Sequence, residues 1–302
     1  MEMRKIGSLS VSVIGLGCNN FGRRLSAEQT VDVMKAAMDC GINFFDTADV
    51  YGNGQSEEFM GKALGSRRSE VIIASKFGNN MEGQGKGAHP DYIRKAVEAS
   101  LKRLGTDYLD LYQQHVPDPD VPIADTLGAL NELVQAGKVR EIGSSNFSAE
   151  QIREADAAVT NDEARFMSVQ NEYSLLVRTP ENGVLAACEQ YGEGFLPYFP
   201  LASGLLTGKY RKGQPTPQGT RLSNGGRWVT EHNLDVVEQL ISFAEARGHS
   251  LLDLAFAWLL TRPVVSSVIA GASNAAQINA NAATAGWMLT AEEMAEVDRI
   301  LG

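Results

Sequence analysis

Four side chains that can carry or transfer a proton stand at or just after the ends of short apolar runs. Asp46 and Tyr51 lie in FDTADVYG, Lys76 lies in ASKFG and His115 lies in YQQH. A phenol is a weak acid at neutral pH, but a nearby cation favours the phenolate and lowers the pKa, and a carboxylate holds the cation in place. If these residues share a pocket, they predict acid–base chemistry with Tyr51 as the proton donor.

A shared pocket requires a fold that brings these positions together. Eight β-rich apolar runs alternate with stretches whose apolar residues follow helical spacing. The runs cover residues 13–17, 44–47, 71–76, 108–113, 139–145, 166–170, 195–199 and 264–269. Parallel strands need a crossover between them, so the alternation predicts an α/β fold, the closed (β/α)8 TIM barrel. The C-terminal ends of barrel strands surround one mouth, where the four side chains would meet.

A doubly wound sheet also alternates strands and helices. The number of runs and the absence of a composition shift that would mark a second domain favour the barrel, with residues 1–302 as a single domain. Two short alternating pieces, 3–7 and 9–13, flank Gly7-Ser8 and predict a β-hairpin across the barrel floor. A helix is expected at the C-terminus.

The segment 208–232 follows the seventh run and is too long for an ordinary connection. It carries five basic residues in an acidic chain: Lys209, Arg211, Lys212, Arg221 and Arg227. Loops of this length in compact domains are usually functional or disordered, and loops after barrel strands lie on the catalytic face. We therefore expect the segment to form a cofactor lid whose positive charge suits phosphate groups.

The overall charge restricts the classes of partner. The chain has 27 Lys and Arg against 37 Asp and Glu, a formal net charge of -10 at pH 7. This charge repels a nucleic-acid backbone and anionic lipid, so no nucleic-acid or membrane partner is expected. Cys18, Cys40 and Cys188 have no C-x-x-C spacing, and no leader-like or membrane-spanning apolar segment occurs. We therefore expect a cytoplasmic protein.

Several common site motifs are incomplete or missing. GLGCNN (15–20) follows a strand but lacks the third glycine of the dinucleotide fingerprint G-x-G-x-x-G, and no G-x-x-x-x-G-K-[ST], H-E-x-x-H or G-x-S-x-G occurs. Asp118 and Asp120 can in principle join His115 as metal ligands, but the prolines between them favour a turn, so no metal site is expected. A metal-assisted barrel hydrolase that uses His115 and Asp46 stays open as an alternative, and it predicts bound metal.

Several longer motifs occur in one order along almost the whole chain. They are DTADVYG (46–52), SKFG (75–78), the histidine at 115, GSSNF (143–147), VQNEYSLL (169–176) and PLASGLLTGKY (200–210). In these motifs the sequence resembles the aldo-keto reductases, which are NADPH-linked carbonyl reductases on a (β/α)8 barrel. The regulatory β-subunits of potassium channels are similar to it as well.

The resemblance implies a separate role for each of the four polar residues. Tyr51 protonates the carbonyl oxygen while hydride passes from the nicotinamide to the carbonyl carbon, and His115 orients or polarises the carbonyl. Lys76 lowers the pKa of Tyr51, and Asp46 pairs with Lys76. The expected reaction is therefore reversible NAD(P)H-dependent reduction of an aldehyde or ketone.

The same resemblance implies an extended nicotinamide cofactor across the barrel mouth. Ser145, Asn146 and Gln170 would bind the carboxamide, and Tyr198 would stack on the nicotinamide ring. The expected pyrophosphate cradle consists of Lys209 and the backbone amides of Leu201, Ser203, Gly204 and Leu206. The adenosine end would face Gly271, Ser273, Gln277 and Asn281. Other expected cofactor contacts are Gly17, Cys18, Asn19, Asp46, Phe199, Pro200 and Arg221.

The segment 271–277 departs from much of the family. Many members place Lys or Arg there to pair with the 2′-phosphate of NADPH, whereas Ser273, Asn274 and Gln277 are neutral. The resemblance favours NADPH and NADP+, but NADH stays possible. Arg211, Arg221 or Arg227 of the long segment can supply the missing charge.

The expected substrate pocket has an apolar and aromatic rim suited to a carbonyl compound with a hydrophobic or ring portion. Its residues are Phe21, Val50, Phe77, Met81, His89 and Trp228. The alternative to an enzyme is a slow-turnover redox-sensing regulatory protein that binds NADPH and a partner protein. The motifs do not separate the two, but no docking segment or low-complexity tail indicates a protein partner.

Overall fold

The computed structural model describes residues 1–160, 163–223 and 225–302. Eight parallel strands form one sheet in the order β10-β3-β4-β5-β6-β7-β8-β9. These are β3 (Ile14–Gly17), β4 (Phe44–Asp46), β5 (Ile72–Phe77), β6 (Leu109–Gln114), β7 (Val139–Ser145), β8 (Phe166–Glu172), β9 (Gly194–Tyr198) and β10 (Val268–Gly271). A parallel bridge between Phe195 and Val265 joins the two ends of the sheet. The predicted (β/α)8 barrel is confirmed.

Helices cover the outside of the barrel. They are α1 (Ala27–Asp39), α2 (Gln55–Leu64), α3 (Pro90–Leu104), α4 (Ile123–Gln135), α5 (Ala149–Ala158), α6 (Val184–Tyr191), α7 (Glu231–Glu245), α8 (Leu251–Leu260), α9 (Ala275–Ala283) and the C-terminal α10 (Ala291–Leu301). Ser26, Ser148, Ser250 and Thr290 start four of them with capping boxes, which satisfy backbone N–H groups of the first turn. None of the helices in the described ranges is long and apolar enough to cross a membrane.

An antiparallel hairpin of β1 (Met3–Ile6) and β2 (Leu9–Ser12) closes the barrel floor, as predicted. Ile6, Leu9 and Val11 are buried in one cluster with side chains of the barrel strands, among them Phe44 and Leu111. Burial of these apolar side chains fixes the hairpin on the N-terminal end of the barrel. The C-terminal end of the barrel is thereby left as the open mouth.

The last strand lies further along the chain than the sequence predicts. The apolar run 264–269 suggests a strand there, whereas β10 is Val268–Gly271 and pairs with β3. Residues before it make only the single bridge at Val265 to the other edge. Because β10 ends at Gly271, the segment that follows it starts at the mouth.

Strand register brings the polar positions side by side at that mouth. Gly17 is level with Asp46 across β3 and β4, Lys76 is level with Gln113 across β5 and β6, and Ser145 is level with Gln170 across β7 and β8. Parallel strands end at the same edge, so these side chains face one space.

The contact between α2 and α3 depends on a glycine. A Cβ atom at Gly61 would lie 2.3 Å from the carbonyl oxygen of Leu104, which is backbone and cannot rotate away. We expect Gly61→Ala to lower the free energy of unfolding by about 1 to 3 kcal/mol through overpacking, despite the better helix propensity of alanine. Urea unfolding measures the change.

The matched control for this substitution is Gly128→Ala in α4, where nothing lies within 4 Å of the added Cβ. That variant should be unchanged or more stable by up to about 1 kcal/mol. Equal effects of the two substitutions would contradict the close approach of α2 and α3.

Candidate active site

A buried ion pair lies at the centre of the mouth. Lys76 Nζ donates to both carboxylate oxygens of Asp46 at 2.7 Å and to the carbonyl oxygen of Thr47 at 2.8 Å. Asp46 Oδ1 also accepts from Gln170 Nε2 at 2.8 Å and from Gln113 Nε2 at 3.4 Å. Burial lowers the pKa of Lys76, but Asp46 and other neighbours raise it, and the net result lies above its ordinary value. Lys76 therefore stays protonated inside the protein.

Tyr51 lies beside this pair at the start of the 3₁₀ turn Tyr51–Gly54. Lys76 Nζ is 5.3 Å from the centroid of its ring, and the ring meets that of His115 edge-on with centroids 5.9 Å apart. Burial raises the pKa of Tyr51 and outweighs Lys76, which lowers it. The prediction of a net lowered pKa is wrong, because Asp46 offsets part of the lysine charge and packing removes water. Tyr51 is protonated at neutral pH, as a proton donor must be.

His115 follows β6 and is held by its backbone N–H, which donates to the carbonyl oxygen of Phe77 at 2.8 Å. Burial and the nearby charge of Lys76 lower the pKa of His115 to about 3. Its Nδ1 atom is buried without a hydrogen-bond partner among the described residues. The imidazole is therefore neutral at physiological pH and retains hydrogen-bonding capacity at the mouth.

Two buried carboxyl groups that sequence reasoning did not single out lie in the segment around Tyr51. Glu57 pairs with Arg103 at 2.7 Å and accepts from Ser75 Oγ. Asp49 Oδ1 accepts from the N–H of Val50, but Asp49 Oδ2 is buried without a partner among the described residues. Burial and repulsion by Glu57 raise the pKa of Asp49 to about 7.

This raised pKa predicts a pH-dependent stability. Asp49 has a pKa of 3.8 in the unfolded chain and about 7 in the folded protein. Between these two pH values the folded protein keeps a proton on Asp49 that the unfolded chain has lost. The contribution of Asp49 to stability therefore decreases as pH rises through this window. We expect Asp49→Asn to gain on the order of 2 kcal/mol relative to wild type between pH 5 and pH 8. Urea unfolding of both proteins at the two pH values checks this; a difference independent of pH would contradict it.

Polar side chains predicted to bind a carboxamide lie on the opposite wall. Ser145 Oγ donates to the carbonyl oxygen of Gln170 at 2.8 Å, and Asn146 Nδ2 donates to the carbonyl oxygen of His115 at 2.9 Å. Tyr198 OH donates to Asn146 Oδ1 at 2.8 Å. Asn146 has a left-handed φ of 62°, which the two side-chain bonds help to hold. Four of the predicted cofactor residues thus form one hydrogen-bonded group.

One cavity of about 740 Å³ connects the two walls, a size typical of ligand sites. The predicted residues that line it are Gly17, Cys18, Asn19, Asp46, Tyr51, His115, Ser145, Asn146, Gln170, Tyr198, Phe199, Pro200, Leu201, Ser203, Gly204, Lys209, Arg221, Gly271, Ser273, Gln277 and Asn281. Lys76 and Leu206 are fully buried and do not line it. Within residues 1–160, 163–223 and 225–302, no three or more His, Cys, Asp or Glu side chains form a group that could hold a metal.

The 3₁₀ segment Ala202–Thr207 after β9 differs from the expected pyrophosphate cradle. The N–H groups of Gly204 and Leu206 both donate to the carbonyl oxygen of Leu201, at 2.7 and 3.2 Å. The tight turn uses these two amides internally in this arrangement, and the expected phosphate cradle stays a prediction. Three non-glycine residues at the start of this segment and just before it have left-handed φ, namely Phe199, Ala202 and Ser203.

The segment 208–232 lies along the cavity; position 224 is outside the described residues. Tyr210 and Trp228 are buried and anchor it, and residues 219–221 line the cavity. The hydroxyl of Tyr210 accepts from the N–H of Leu222 at 3.3 Å. These contacts place the segment where a lid would lie, and its closure over a cofactor stays a prediction.

The arginines of this segment have different surroundings. Arg211 pairs with Glu238 at 2.7 Å, and Arg227 pairs with Glu172. Arg221 lines the cavity, with its guanidinium carbon 5.8 Å from the centroid of the Phe199 ring. Of the three arginines considered for the 2′-phosphate, Arg221 is the one placed at the cavity without a carboxylate partner among the described residues.

The segment 271–277, which we predict to face the adenosine end of the cofactor, is held by its own polar groups. Ser273 donates to Gln277 Oε1 from both its N–H, at 2.8 Å, and its hydroxyl, at 3.1 Å. Asn274 caps α9 by accepting from the N–H of Gln277. In the described part of the chain, Ser273, Asn274 and Gln277 thus give this wall of the cavity neutral hydrogen-bonding groups.

The six residues predicted for the substrate rim do not line this cavity. Phe21, Phe77 and Met81 are buried in the core, and the ring of Phe77 packs on Tyr112 with centroids 4.9 Å apart. His89 is exposed and caps α3, since its Nδ1 accepts from the N–H of Asp91. Val50 is partly buried beside Tyr51, and Trp228 lines an adjacent cavity. The structure thus gives Phe77 a packing role and His89 a capping role.

Sequence reasoning missed three polar cavity residues in the loop between β3 and α1. Asn20, Arg23 and Arg24 line the cavity with Thr207 from the other side. The available signal was the pair of adjacent arginines in the loop after the first predicted barrel strand, in an otherwise acidic chain.

Comparison with known proteins places this chain in a family. The family model "Aldo/keto reductase family" matches residues 13–301. The chain is 37% identical over 295 residues to a probable voltage-gated potassium channel subunit beta of Arabidopsis thaliana, covering 93% of this chain and 90% of that protein. It is 37% identical over 316 residues to aldo-keto reductase YhdN of Bacillus subtilis, covering 100% and 94%.

A solved structure shares the whole architecture. The glycerol dehydrogenase AKR11B4 from Gluconobacter oxydans superposes with a TM-score of 0.86 at 32% sequence identity, covering 99% of this chain and 94% of that one. The similarity therefore extends over the barrel, the hairpin and the C-terminal helix.

Proposed function

Because the chain belongs to the aldo/keto reductase family and is a general NAD(P)H-dependent oxidoreductase, we propose that it reduces an aldehyde or ketone with Tyr51 as the proton donor. The position of Tyr51 carries the proposal. Its ring lies between the buried Lys76–Asp46 pair and neutral His115, at the wall of the cavity. No other tyrosine lining this cavity within the described residues has a cation so placed beside it.

The residues around the cavity fit an extended nicotinamide nucleotide. Ser145 and Asn146 offer polar side chains next to the aromatic face of Tyr198, and Lys209 and Arg221 supply positive charge near the left-handed turn that follows β9. Asn20 Oδ1, an acceptor at the cavity wall, is buried without a partner among the described residues. Such an acceptor suits a ligand hydroxyl group.

When bound, the reduced nicotinamide supplies the hydride that the carbonyl carbon accepts. Tyr51 donates its proton to the carbonyl oxygen, so the product is an alcohol and the tyrosine recovers its proton from water. His115, neutral at physiological pH, donates a hydrogen bond to the same oxygen and fixes its direction. Lys76 stabilises the phenolate that forms at Tyr51, and Asp46 holds Lys76 in place.

The second candidate is a slow-turnover redox-sensing protein that binds NADPH and a partner protein. The similarity to the potassium channel β-subunit of Arabidopsis thaliana favours it, because that relative is named as part of a larger assembly. Both candidates use the same cavity. Turnover with a carbonyl compound separates them.

The test is a titration with NADPH and NADH, followed by tryptophan fluorescence, and then assay of nucleotide oxidation with a panel of aldehydes and ketones. Trp228 lines the adjacent cavity and serves as the reporter. We expect binding and carbonyl-dependent oxidation, with NADPH preferred. Binding of neither nucleotide would exclude both candidates, and binding without turnover on any carbonyl would favour the redox-sensing protein.

A further inference from the structure

The first turn of α2 holds two polar side chains that are completely buried. Ser56 and Glu57 are both 0% exposed, and they follow closely on the turn Tyr51–Gly54 that carries the proposed proton donor. A buried carboxylate is costly unless it is paired and hydrogen-bonded, so its partners show what it holds in place. The partners of these two side chains lie next to the buried ion pair of the mouth.

Glu57 connects α2 with β5 and α3. Its Oε1 atom accepts from Ser75 Oγ at 2.5 Å, and Ser75 directly precedes Lys76 on β5. Its Oε2 atom accepts from Arg103 Nε at 2.7 Å, and the Arg103 side chain on α3 is only 13% exposed. Because both carboxylate oxygens are used, a shift of α2 relative to β5 would break a buried hydrogen bond.

Ser56 connects α2 with the end of β4. Its hydroxyl group donates to the carbonyl oxygen of Cys18 at 3.0 Å and lies 2.8 Å from Thr47 Oγ1. A hydroxyl group has one proton, so Thr47 is the donor in the second bond. The carbonyl oxygen of Thr47 in turn accepts from Lys76 Nζ at 2.8 Å. Ser56 is therefore bonded to the residue that also binds the ammonium group of the ion pair.

The turn that precedes α2 has a backbone that needs such restraints. Gly52, Asn53 and Gly54 have left-handed φ values of 60°, 53° and 92° in succession. A non-glycine residue adopts this conformation at an energetic cost, and it persists only where the surroundings determine it. Arg103 is part of those surroundings, since a Cβ atom at Gly54 would lie 2.7 Å from its Cδ atom. The partner of Glu57 thus also packs against the end of the turn.

We propose that Ser56 and Glu57 are positioning residues that fix the turn of Tyr51 beside the Lys76–Asp46 pair. Neither Ser56 nor Glu57 lines the cavity, so both act through the turn. The inference rests on the proposed function, which makes Tyr51 the proton donor. Proton transfer requires the donor within hydrogen-bond distance of the carbonyl oxygen, and a displacement of about 1 Å can reduce the rate by about 100-fold.

The first experiment compares Glu57→Gln with Asp110→Asn. Glutamine keeps an oxygen for Ser75 but removes the charge that holds Arg103. Asp110 is the matched control, because it is 1% exposed and pairs with two arginines. It stands near the N-terminal end of β6, away from the mouth. Urea unfolding, Kd for NADPH and steady-state kinetics with the best carbonyl compound of the panel are measured for both.

Both variants should unfold at a lower urea concentration than wild type, because each leaves buried arginine charge without its carboxylate. Only Glu57→Gln should lower kcat, by about 10- to 100-fold, while Kd for NADPH and KM for the carbonyl compound stay unchanged. Wild-type kcat in folded Glu57→Gln, or an equal loss of kcat in Asp110→Asn, would overturn the inference.

A second pair of variants removes hydroxyl groups only, which keeps the inference testable if Glu57→Gln does not fold. Ser56→Ala loses the bonds to Thr47 and Cys18. Ser12→Ala is its control, because Ser12 is equally buried and makes two hydrogen bonds at the barrel floor. Ser56→Ala should lower kcat by about 10-fold, and Ser12→Ala should keep the wild-type value. Equal kcat in the two serine variants would overturn the inference.

Amide exchange gives a readout that does not depend on turnover. The N–H groups of Tyr51 and Asn53 donate to the carbonyl oxygens three residues earlier. Hydrogen–deuterium exchange in the segment 48–55 should be faster in Ser56→Ala and Glu57→Gln than in wild type, and unchanged in the two controls. Equal exchange in all variants would overturn the inference. If exchange responds but wild type binds nucleotide and reduces no carbonyl compound, the proposed function fails and the anchoring of the turn stands.

Discussion

Tyr51→Phe should bind nicotinamide nucleotide with wild-type affinity and lose about 10²- to 10⁴-fold in kcat for carbonyl reduction, the usual contribution of one positioned proton donor. The variant keeps the aromatic ring beside Lys76 and His115, and removes only the hydroxyl group. Steady-state kinetics with the best carbonyl of the panel measures the loss. Nucleotide affinity comes from tryptophan quenching.

The matched control is Tyr198→Phe. It also removes one phenolic hydroxyl at the cavity, but that hydroxyl donates to Asn146 Oδ1 rather than facing the Lys76–Asp46 pair. We expect it to affect nucleotide binding more than kcat. Near wild-type kcat in Tyr51→Phe would remove Tyr51 from the mechanism.

Lys76→Met should both abolish most activity and destabilise the protein. Removal of the ammonium group leaves the Asp46 carboxylate buried with only two amide donors, and breaking a buried pair in this way costs about 3 to 5 kcal/mol. Loss of the cation that stabilises the Tyr51 phenolate should reduce kcat by about 100-fold or more. Urea unfolding and steady-state kinetics measure the two effects.

The double variant Lys76→Met/Asp46→Asn separates stability from catalysis. It removes both charges while the amide keeps an oxygen for the N–H donors of Gln170 and Gln113. Most of the lost stability should return, but the activity should not. If Lys76→Met alone were as stable as wild type, Asp46 would not depend on Lys76 for its charge.

The architecture could be predicted because each strand appears in the sequence as a short apolar run and each helix as a stretch whose apolar residues follow helical spacing. Asp46, Lys76 and His115 stand at or next to strand ends, and barrel geometry then brings them together without further information. The last strand is shifted because Val264 and Val265 are as apolar as the residues of β10. Apolar character does not distinguish a single bridge from a strand.

The net pKa of Tyr51 could not be predicted from residue types. Lys76 acts with the predicted sign, but the size of the burial effect depends on how closely the neighbouring elements pack. Sequence also does not show which N–H groups a turn uses internally, as the N–H groups of Gly204 and Leu206 are used by the carbonyl oxygen of Leu201.

The presence of Arg23, Arg24 and Arg221 in one cavity could not be predicted, because Arg221 is about 200 positions from the other two in the chain. The segment 208–232 was expected to supply charge, but which of its arginines reaches the cavity depends on the carboxylates of other elements. Glu238 on α7 and Glu172 on β8 pair with Arg211 and Arg227. The substrate rim was mispredicted where packing directs Phe77 into the core.

The most direct test of the central claim follows the hydride itself. Wild-type protein is incubated with reduced nicotinamide nucleotide that carries two deuterium atoms at C4 and with an aldehyde from the panel, and the alcohol is analysed by mass spectrometry and NMR. The account predicts one deuterium on the former carbonyl carbon, with a hydroxyl proton from water. Nucleotide binding without labelled alcohol for any aldehyde or ketone would contradict it.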